Sequence, residues 1–158
     1  MTGMSGTGKS SALAELGRRG HRAVDFDSTE WSEWFPEDEE WRWREDRVAR
    51  LLDGAGAEPL FVCGCQSNQG AFYDRFDAVV LLSAPADVLL TRIAERTPTA
   101  FGTTAAERDR ILADLRTVEP LLRATSTHEI DARRPLADVV HELEAIAAAA
   151  APTGRRSP

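Results

Sequence analysis

At 158 residues the chain is long enough for one domain with a single core. Its formal net charge of -7 and pI near 5.0 argue against a protein whose main partner is nucleic acid or an anionic membrane surface. The two cysteines suggest a reducing compartment, and the longest apolar stretch, 78–90, is too short to span a bilayer. We therefore expect a cytoplasmic protein.

The first feature along the chain is a glycine-rich loop, Gly-Met-Ser-Gly-Thr-Gly-Lys-Ser at 3–10, followed by a predicted helix over 11–19. This G-x-x-x-x-G-K-[ST] pattern binds nucleotides because its backbone N–H groups surround the β-phosphate, its lysine reaches the γ-phosphate and its hydroxyl ligates Mg²⁺. Lys9 is the only lysine among 19 basic residues. A plain glycine-rich turn before a helix is the alternative. We predict that ATP is bound by Gly3, Met4, Ser5, Gly6, Thr7, Gly8, Lys9, Ser10 and Ser11, with Ser10 on Mg²⁺.

A strand that should lead into this loop is not visible. Only Met1 and Thr2 precede Gly3, whereas the pattern needs a buried strand there. Either the natural product carries about five or six more apolar residues at its N-terminus, or the chain tolerates the loss of a central strand. We favour the first explanation.

The rest of the chain alternates between strand and helix patterns. Strands are predicted at 22–27, 60–65, 77–83 and 128–132; helices are predicted at 39–53, 86–96, 105–122 and 135–149, with one helical turn near 68–73. The segment 28–40 is acidic and aromatic without clean periodicity. This alternation predicts a parallel sheet covered by helices on both faces, an α/β domain over 1–150 and a disordered tail over 151–158.

Two carboxylates follow the first of these strands. Asp25 and Asp27 stand at i and i+2, so both side chains face one cavity. Phosphoryl transfer needs metal-held charge and a carboxylate near the attacking oxygen. The alternative is an acidic turn in which Asp27 caps the segment that follows.

The loop and the Asp25-Phe26-Asp27 sequence together resemble the P-loop small-molecule kinases of the shikimate kinase and gluconate kinase group, with nucleoside monophosphate kinases more distant. We identify the chain as an AAA-type ATPase or kinase-like member of that group. The resemblance implies a three-layer P-loop NTPase fold, apparently without its first strand. It also implies Asp25 as a metal ligand and Asp27 at the acceptor hydroxyl.

Five further positions are candidate substrate contacts. Trp41-Arg42-Trp43-Arg44-Glu45 is similar to a shikimate kinase stretch whose arginine grips the substrate carboxylate, which implies that role for Arg42, with Trp43 beside it. Gly64 matches one glycine of a substrate-contacting run whose other members are absent. Gln66 and Asn68 are candidate readers of a polar substrate. A solvated helix face and loop residues that bond to their own backbone are the alternatives.

The positive charge that clamps the transferring phosphate is expected from a lid over about 97–110. Arg92 and Arg96 resemble the arginines that begin this lid, Arg96 being the stronger candidate for catalysis. Arg108 and Arg110 belong either to the lid or to an ordinary helix surface. Arg133, after the last strand, stands where this class packs a loop against adenine.

These features predict an ATP-dependent phosphotransferase that moves the γ-phosphate to a hydroxyl of a small molecule, such as a sugar acid or a shikimate-like compound. Lys9, Asp27 and Arg96 are the predicted catalytic residues. One alternative is a nucleoside or nucleotide kinase that stacks a base on the aromatic segment 31–43. Another is an ATP-binding regulatory protein with little catalysis. We expect a monomer or homodimer whose partner is a small-molecule acceptor, with no nucleic acid or membrane partner.

Overall fold

The computed structural model describes residues 1–95 and 104–150, in which parallel strands alternate with helices. The strands are β1 Arg22–Asp25, β2 Ser32–Phe35, β3 Glu40–Trp43, β4 Leu60–Cys63, β5 Val80–Ser83 and β6 His128–Asp131. The helices are α1 Lys9–Arg18, α2 Glu45–Asp53, α3 Ala86–Ala94, α4 Ala105–Thr117, α5 Glu119–Thr125 and α6 Leu136–Ala150, with a 3-10 helix over Gln69–Arg75. Arg96, the first part of the expected lid and the tail 151–158 lie outside the described residues.

The first two residues join the parallel strand pairs. β1 pairs with β4 and β5 pairs with β6. Thr2 donates its N–H to Val80 O at 2.8 Å and accepts from Leu82 N at 2.9 Å, while Met1 N donates to Val62 O at 2.7 Å. Met1 and Thr2 therefore lie between β4 and β5, and among residues 1–95 and 104–150 this two-residue bridge occupies the place of the central strand.

The predicted three-layer α/β fold is confirmed, and its larger core lies around this central bridge. Helix α1 packs against β1, β4 and α6. Leu16, Leu81, Leu82 and Ile130 are almost completely buried in this core. Since the strands are parallel, their carboxyl ends open at one edge, which is where ligands bind in sheets of this kind.

A second apolar cluster lies under the hairpin of β2 and β3. It consists of Phe26, Trp43, Val48, Val62 and Phe72. Trp43 packs edge-on against Phe26 with ring centroids 5.0 Å apart. This cluster fixes the hairpin to β1 and β4, next to the carboxyl ends of those strands.

The predicted helix over 39–53 is wrong in its first third. Residues 40–43 form β3, which pairs antiparallel with β2, and α2 begins at Glu45. The apolar spacing that suggested one helix mixes two elements: Trp41 lies on the hairpin, whereas Val48 lies on the buried face of α2. Trp43, a candidate substrate contact, is buried.

The predicted helix over 105–122 is two helices. α4 ends at Thr117, and α5 begins at Glu119 with Pro120 in its first turn. Proline has no backbone N–H and fixes its own φ, so it starts a helix easily and interrupts one already formed. Within the described ranges, no helix is long and apolar enough to cross a membrane.

Candidate functional site

The glycines of the first loop are required by their surroundings. Gly3 has φ 143°, and a Cβ there would lie 2.3 Å from Leu82 O. Gly6 has φ 91°, and its Cβ would lie 3.0 Å from Leu89 O. Gly8 has φ 90° but faces open space, with no atom within 4 Å of a Cβ. The loop is therefore held against β5 and α3 on one side and is open on the other, where a phosphate can approach its backbone.

Lys9 spans this loop. Its Nζ donates to Gly3 O at 2.6 Å and lies 3.3 Å from Met4 O. Helix α1 begins at Lys9, no side chain caps its N-terminus, and its first turn contains no acidic residue. The free N–H groups and the positive end of the helix dipole thus point toward the open side of the loop.

Asp27 is held at the carboxyl end of β1 by backbone donors. Cys65 N donates to both carboxylate oxygens, at 2.9 and 3.0 Å, and Asp27 N donates to Asp25 Oδ1 at 3.0 Å. Trp43 Nε1 lies 3.5 Å from Asp27 Oδ1. Both predicted carboxylates therefore lie beside the loop, and Asp27 has a fixed orientation.

The environment of Asp27 makes its ionisation less favourable than it is in water. Asp27 is accessible, but it sits in a concave part of the surface where protein replaces bulk water. This desolvation raises the pKa of Asp27 above its ordinary value, although the Cys65 N–H and the Lys9 charge act in the opposite direction. A carboxylate of raised pKa can accept a proton more easily than an ordinary aspartate.

One cavity of about 1080 Å³ contains most of the predicted site. Its lining residues from the predicted set are Gly3, Met4, Ser5, Gly6, Gly8, Lys9, Ser10, Ser11, Asp25, Asp27 and Gln66. Thr7 does not line it: the residue is buried, and its hydroxyl donates to Met4 O at 2.9 Å. The arrangement brings a hydroxyl, two carboxylates and one ammonium group to the open side of the loop.

Three residues predicted to contact substrate instead hold neighbouring parts of the fold in place. Asn68 holds β3 in place, since its Oδ1 accepts from Trp43 N at 2.9 Å and its Nδ2 donates to Trp43 O at 3.0 Å. Trp43 is buried in the second cluster. Gly64 lies beneath Trp43 and Asp27. None of these three residues lines the cavity.

The structure also places three predicted arginines outside the cavity. Arg42 pairs with Asp38 and Glu40, and its guanidinium lies 4.7 Å from the centre of the Phe35 ring. The other two lie toward the last strand. Arg92 donates to Ala132 O at 2.7 Å, whereas Arg133 pairs with Asp131 and lines a second cavity of about 620 Å³. Arg110, which the sequence left open, does line the main cavity.

Sequence reasoning considered the aromatic segment 31–43 only as a base-stacking surface in the nucleoside kinase alternative, and it did not single out the other residues of the cavity wall. Trp34, Glu39, Glu40 and Trp41 come from the β2–β3 hairpin; Tyr73, Ile111, Asp114 and Leu121 come from elements opposite it. The hairpin could have been predicted from two tryptophans, Trp34 and Trp41, on either side of an acidic, proline-containing turn. The same two tryptophans also fit a helical period, so the pattern was ambiguous.

Gly64→Ala should lower stability, because there is no room for a Cβ at this position. A Cβ at Gly64 would lie 2.8 Å from Trp43 Cζ2 and 2.9 Å from Asp27 Oδ1, so one of these side chains must move. We expect the free energy of unfolding to fall by about 1–3 kcal/mol in denaturant titrations. Gly56→Ala is the control, because nothing lies within 4 Å of its Cβ. Equal stability of the two variants would contradict this packing.

Comparisons with known proteins agree with this geometry. A shikimate kinase from Acinetobacter baumannii, solved with shikimate, matches with a TM-score of 0.62 and 16% identity, over 94% of this chain and 90% of that one. A gluconokinase from Sinorhizobium meliloti matches with a TM-score of 0.60 and 23% identity, over 95% of this chain and 90% of that one. No curated protein matches the chain significantly.

The family is shown by a separate comparison. The model of the AAA domain family matches residues 1–112, which is more than half of the chain. This match and the two structural neighbours confirm the resemblance drawn from the glycine-rich loop and the paired aspartates. The chain belongs to the AAA domain family and has the fold of the P-loop small-molecule kinases.

Proposed function

We propose that the protein is an ATP-dependent phosphotransferase that acts on a hydroxyl group of a small molecule. The observation that carries this proposal is one cavity lined by Lys9, Ser10, Asp25 and Asp27. The glycine loop occupies one end, and the hairpin with Trp34 forms another part of the wall. A nucleotide and an acceptor can therefore lie side by side, as in-line transfer requires.

The residues present fit a nucleotide with Mg²⁺. The backbone at Gly8 is open, the first turn of α1 is uncapped, and Lys9 Nζ lies over the loop. The Ser10 hydroxyl and the Asp25 carboxylate supply the hard oxygen ligands that Mg²⁺ prefers. When bound, the ion would neutralise charge on the phosphate oxygens.

The protein's own contribution is positioning and charge. Lys9 stabilises the negative charge that develops on the transferring group. Asp27 accepts a hydrogen bond from the acceptor hydroxyl and receives its proton as the new O–P bond forms. The bond between the γ-phosphorus and the β–γ bridging oxygen breaks at the same time, and ADP leaves with its electron pair. Arg96, outside the described residues, is the proposed second cation.

The acceptor is not fixed by these residues. The expected sugar-acid or shikimate-like acceptor depended on Arg42, which lies outside the cavity and pairs with Asp38 and Glu40. Gln66 lines the cavity and is a proposed acceptor contact, whereas Asn68 and Trp43 act by holding the hairpin. The hydroxyl-directed chemistry of Asp27 does not depend on Arg42.

The direct test is an ADP-release assay with MgATP and a panel of hydroxyl compounds. The panel contains neutral sugars, sugar acids, shikimate, amino alcohols, amino sugars, nucleosides and nucleotides. We expect at least one acceptor to raise ADP release well above the rate with water alone, and mass spectrometry to find its phosphate ester. ATP binding with no acceptor-stimulated release across the panel would favour the regulatory alternative.

Asp25→Asn should alter the metal requirement. Asp25 lies at the end of β1 and lines the same cavity as Ser10. Removing its charge weakens any ion held between them, so we expect the Mg²⁺ concentration that gives half-maximal ADP release to rise about tenfold or more. The exposed Asp74 provides the control as Asp74→Asn. An unchanged Mg²⁺ dependence in Asp25→Asn would remove this residue from the metal site.

A further inference from the structure

The hairpin carries two exposed tryptophans into the wall of the main cavity. Trp34 on β2 and Trp41 on β3 are directly paired across the antiparallel ladder. They are 46% and 42% exposed, although both line the cavity. Large aromatic side chains left this open beside a cavity are typical of a surface that contacts a ligand.

The geometry of these rings does not suit a sandwiched base. Their centroids lie 5.9 Å apart, and the ring planes are inclined at 58°. A base held between two rings needs parallel planes about 7 Å apart, because each stacked pair is separated by about 3.5 Å. Trp34 and Trp41 instead offer two faces inclined to each other. Aromatic faces grouped in this way are how proteins recognise alkylammonium groups.

The charge of the cavity wall favours a cation. Its acidic residues in the described part of the chain are Asp25, Asp27, Glu39, Glu40 and Asp114, against Lys9 and Arg110 as the basic ones. Lys9 belongs to the phosphate end. Arg110 is followed one helical turn later by Asp114 on the same wall. Since Asp25 is proposed for Mg²⁺ and Glu40 pairs with Arg42, the remaining excess of negative charge comes from Asp27 and Glu39.

Glu39 is the acidic residue best placed for this role. It is exposed at the end of the hairpin turn with φ 53°, a conformation that favours glycine or asparagine, yet its side chain lines the cavity. No ion pair to Glu39 is found among the described residues, in contrast to Glu40, which pairs with Arg42. Its charge is available to a ligand.

We propose that the acceptor is an amino alcohol, a hydroxyl compound that carries a protonated or quaternary amine. The amine lies against the faces of Trp34 and Trp41 with Glu39 supplying the counter-charge, while the hydroxyl lies at Asp27. This inference rests on the proposed phosphotransferase function and names the substrate class for the same cavity. It replaces the carboxylate-gripping role that the sequence implied for Arg42.

The test compares two probes of equal shape and different charge. Choline and its uncharged tert-butyl isostere, in which carbon replaces the nitrogen, are titrated calorimetrically into the protein with Mg²⁺ and a non-hydrolysable ATP analogue. We expect choline to bind about tenfold more tightly, since the cation gains attraction from the ring faces and from Glu39. Gluconate, as the anionic probe, should bind more weakly than choline.

Variants of the hairpin test whether Trp34, Trp41 and Glu39 cause the preference for choline over its isostere. Glu39→Gln should reduce the preference for choline about threefold, whereas Glu37→Gln, in the same turn but outside the cavity lining, should not change it. Trp34→Leu combined with Trp41→Leu should abolish it. Thermal melting of each variant verifies that it is folded. If the double tryptophan variant unfolds, Glu39→Gln still tests the cation site by itself.

Two results would overturn the proposal. Equal binding of choline and its isostere would remove the cation site, and tighter binding of gluconate would show an anionic acceptor. Both are equilibrium measurements and need no turnover. If the preference for choline holds while no compound in the ADP-release panel is phosphorylated, the phosphotransferase function is wrong and the cation site stands.

Discussion

Lys9→Ala should reduce acceptor-stimulated ADP release by about two to three orders of magnitude. Lys9 is the sole lysine of the chain, and its Nζ lies over the glycine loop, 2.6 Å from Gly3 O. An ammonium group aimed at charge that grows in the transition state contributes on this scale. The assay is ADP release with saturating acceptor, and calorimetry measures ATP binding separately.

A matched control distinguishes this effect from a general loss of positive charge. Arg18 ends the same helix, is largely exposed and pairs only with Glu15 among the contacts described for it. Arg18→Ala should leave ADP release within about twofold of the original rate. Unchanged ATP affinity and unchanged ADP release in Lys9→Ala would rule out the glycine loop as the nucleotide site.

Asp27→Asn should reduce kcat by about two to four orders of magnitude while ATP affinity changes little. Asparagine has nearly the same shape but cannot accept the acceptor's proton, and that loss falls on the chemical step. Asp27 faces the cavity with its orientation fixed by Cys65 N at 2.9 Å. Steady-state kinetics with the identified acceptor separates kcat from KM. Full activity in Asp27→Asn would exclude its role as the base.

The pH profile gives a second measurement of the same residue. Because desolvation raises the pKa of Asp27, the acid limb of kcat should lie at a higher pH than for an ordinary aspartate, with activity lost as the pH falls through that pKa. The acid limb should be absent from the residual activity of Asp27→Asn. An acid limb that persists in this variant would assign the titration to another group.

The stability of Asp27→Asn follows from the same shift. A carboxyl group whose pKa is raised in the folded state contributes stability below its unfolded pKa, and this contribution is lost as the pH rises through the folded pKa. Above its folded pKa, the ionised Asp27 therefore does not stabilise the folded state. We expect the free energy of unfolding of Asp27→Asn at pH 7 to stay within about 1 kcal/mol of the original.

The local hydrophobic pattern was sufficient to predict much of the parallel sheet and the edge at which its strands end. The buried apolar run at 60–65 and the alternation of strands with helices predicted the parallel α/β fold, because long periodic segments depend mainly on their own hydrophobic pattern. The hairpin was not predicted. Trp34 and Trp41 pair across a four-residue turn, and helical and hairpin spacing cannot be told apart in so short a segment.

The sequence by itself was sufficient to predict the proposed phosphate end of the site, since the glycines, Lys9 and Ser10 belong to one loop and the helix that follows. The place of Asp25 and Asp27 beside the loop could be predicted from their i, i+2 spacing at the end of a strand. Only the tertiary structure shows which residues line the proposed acceptor end of the cavity. Glu39 lines the cavity, whereas Arg42 pairs with Asp38 and Glu40 outside it. The hairpin that carries both residues is fixed by the burial of Trp43 against Phe26, a contact between residues distant in the chain.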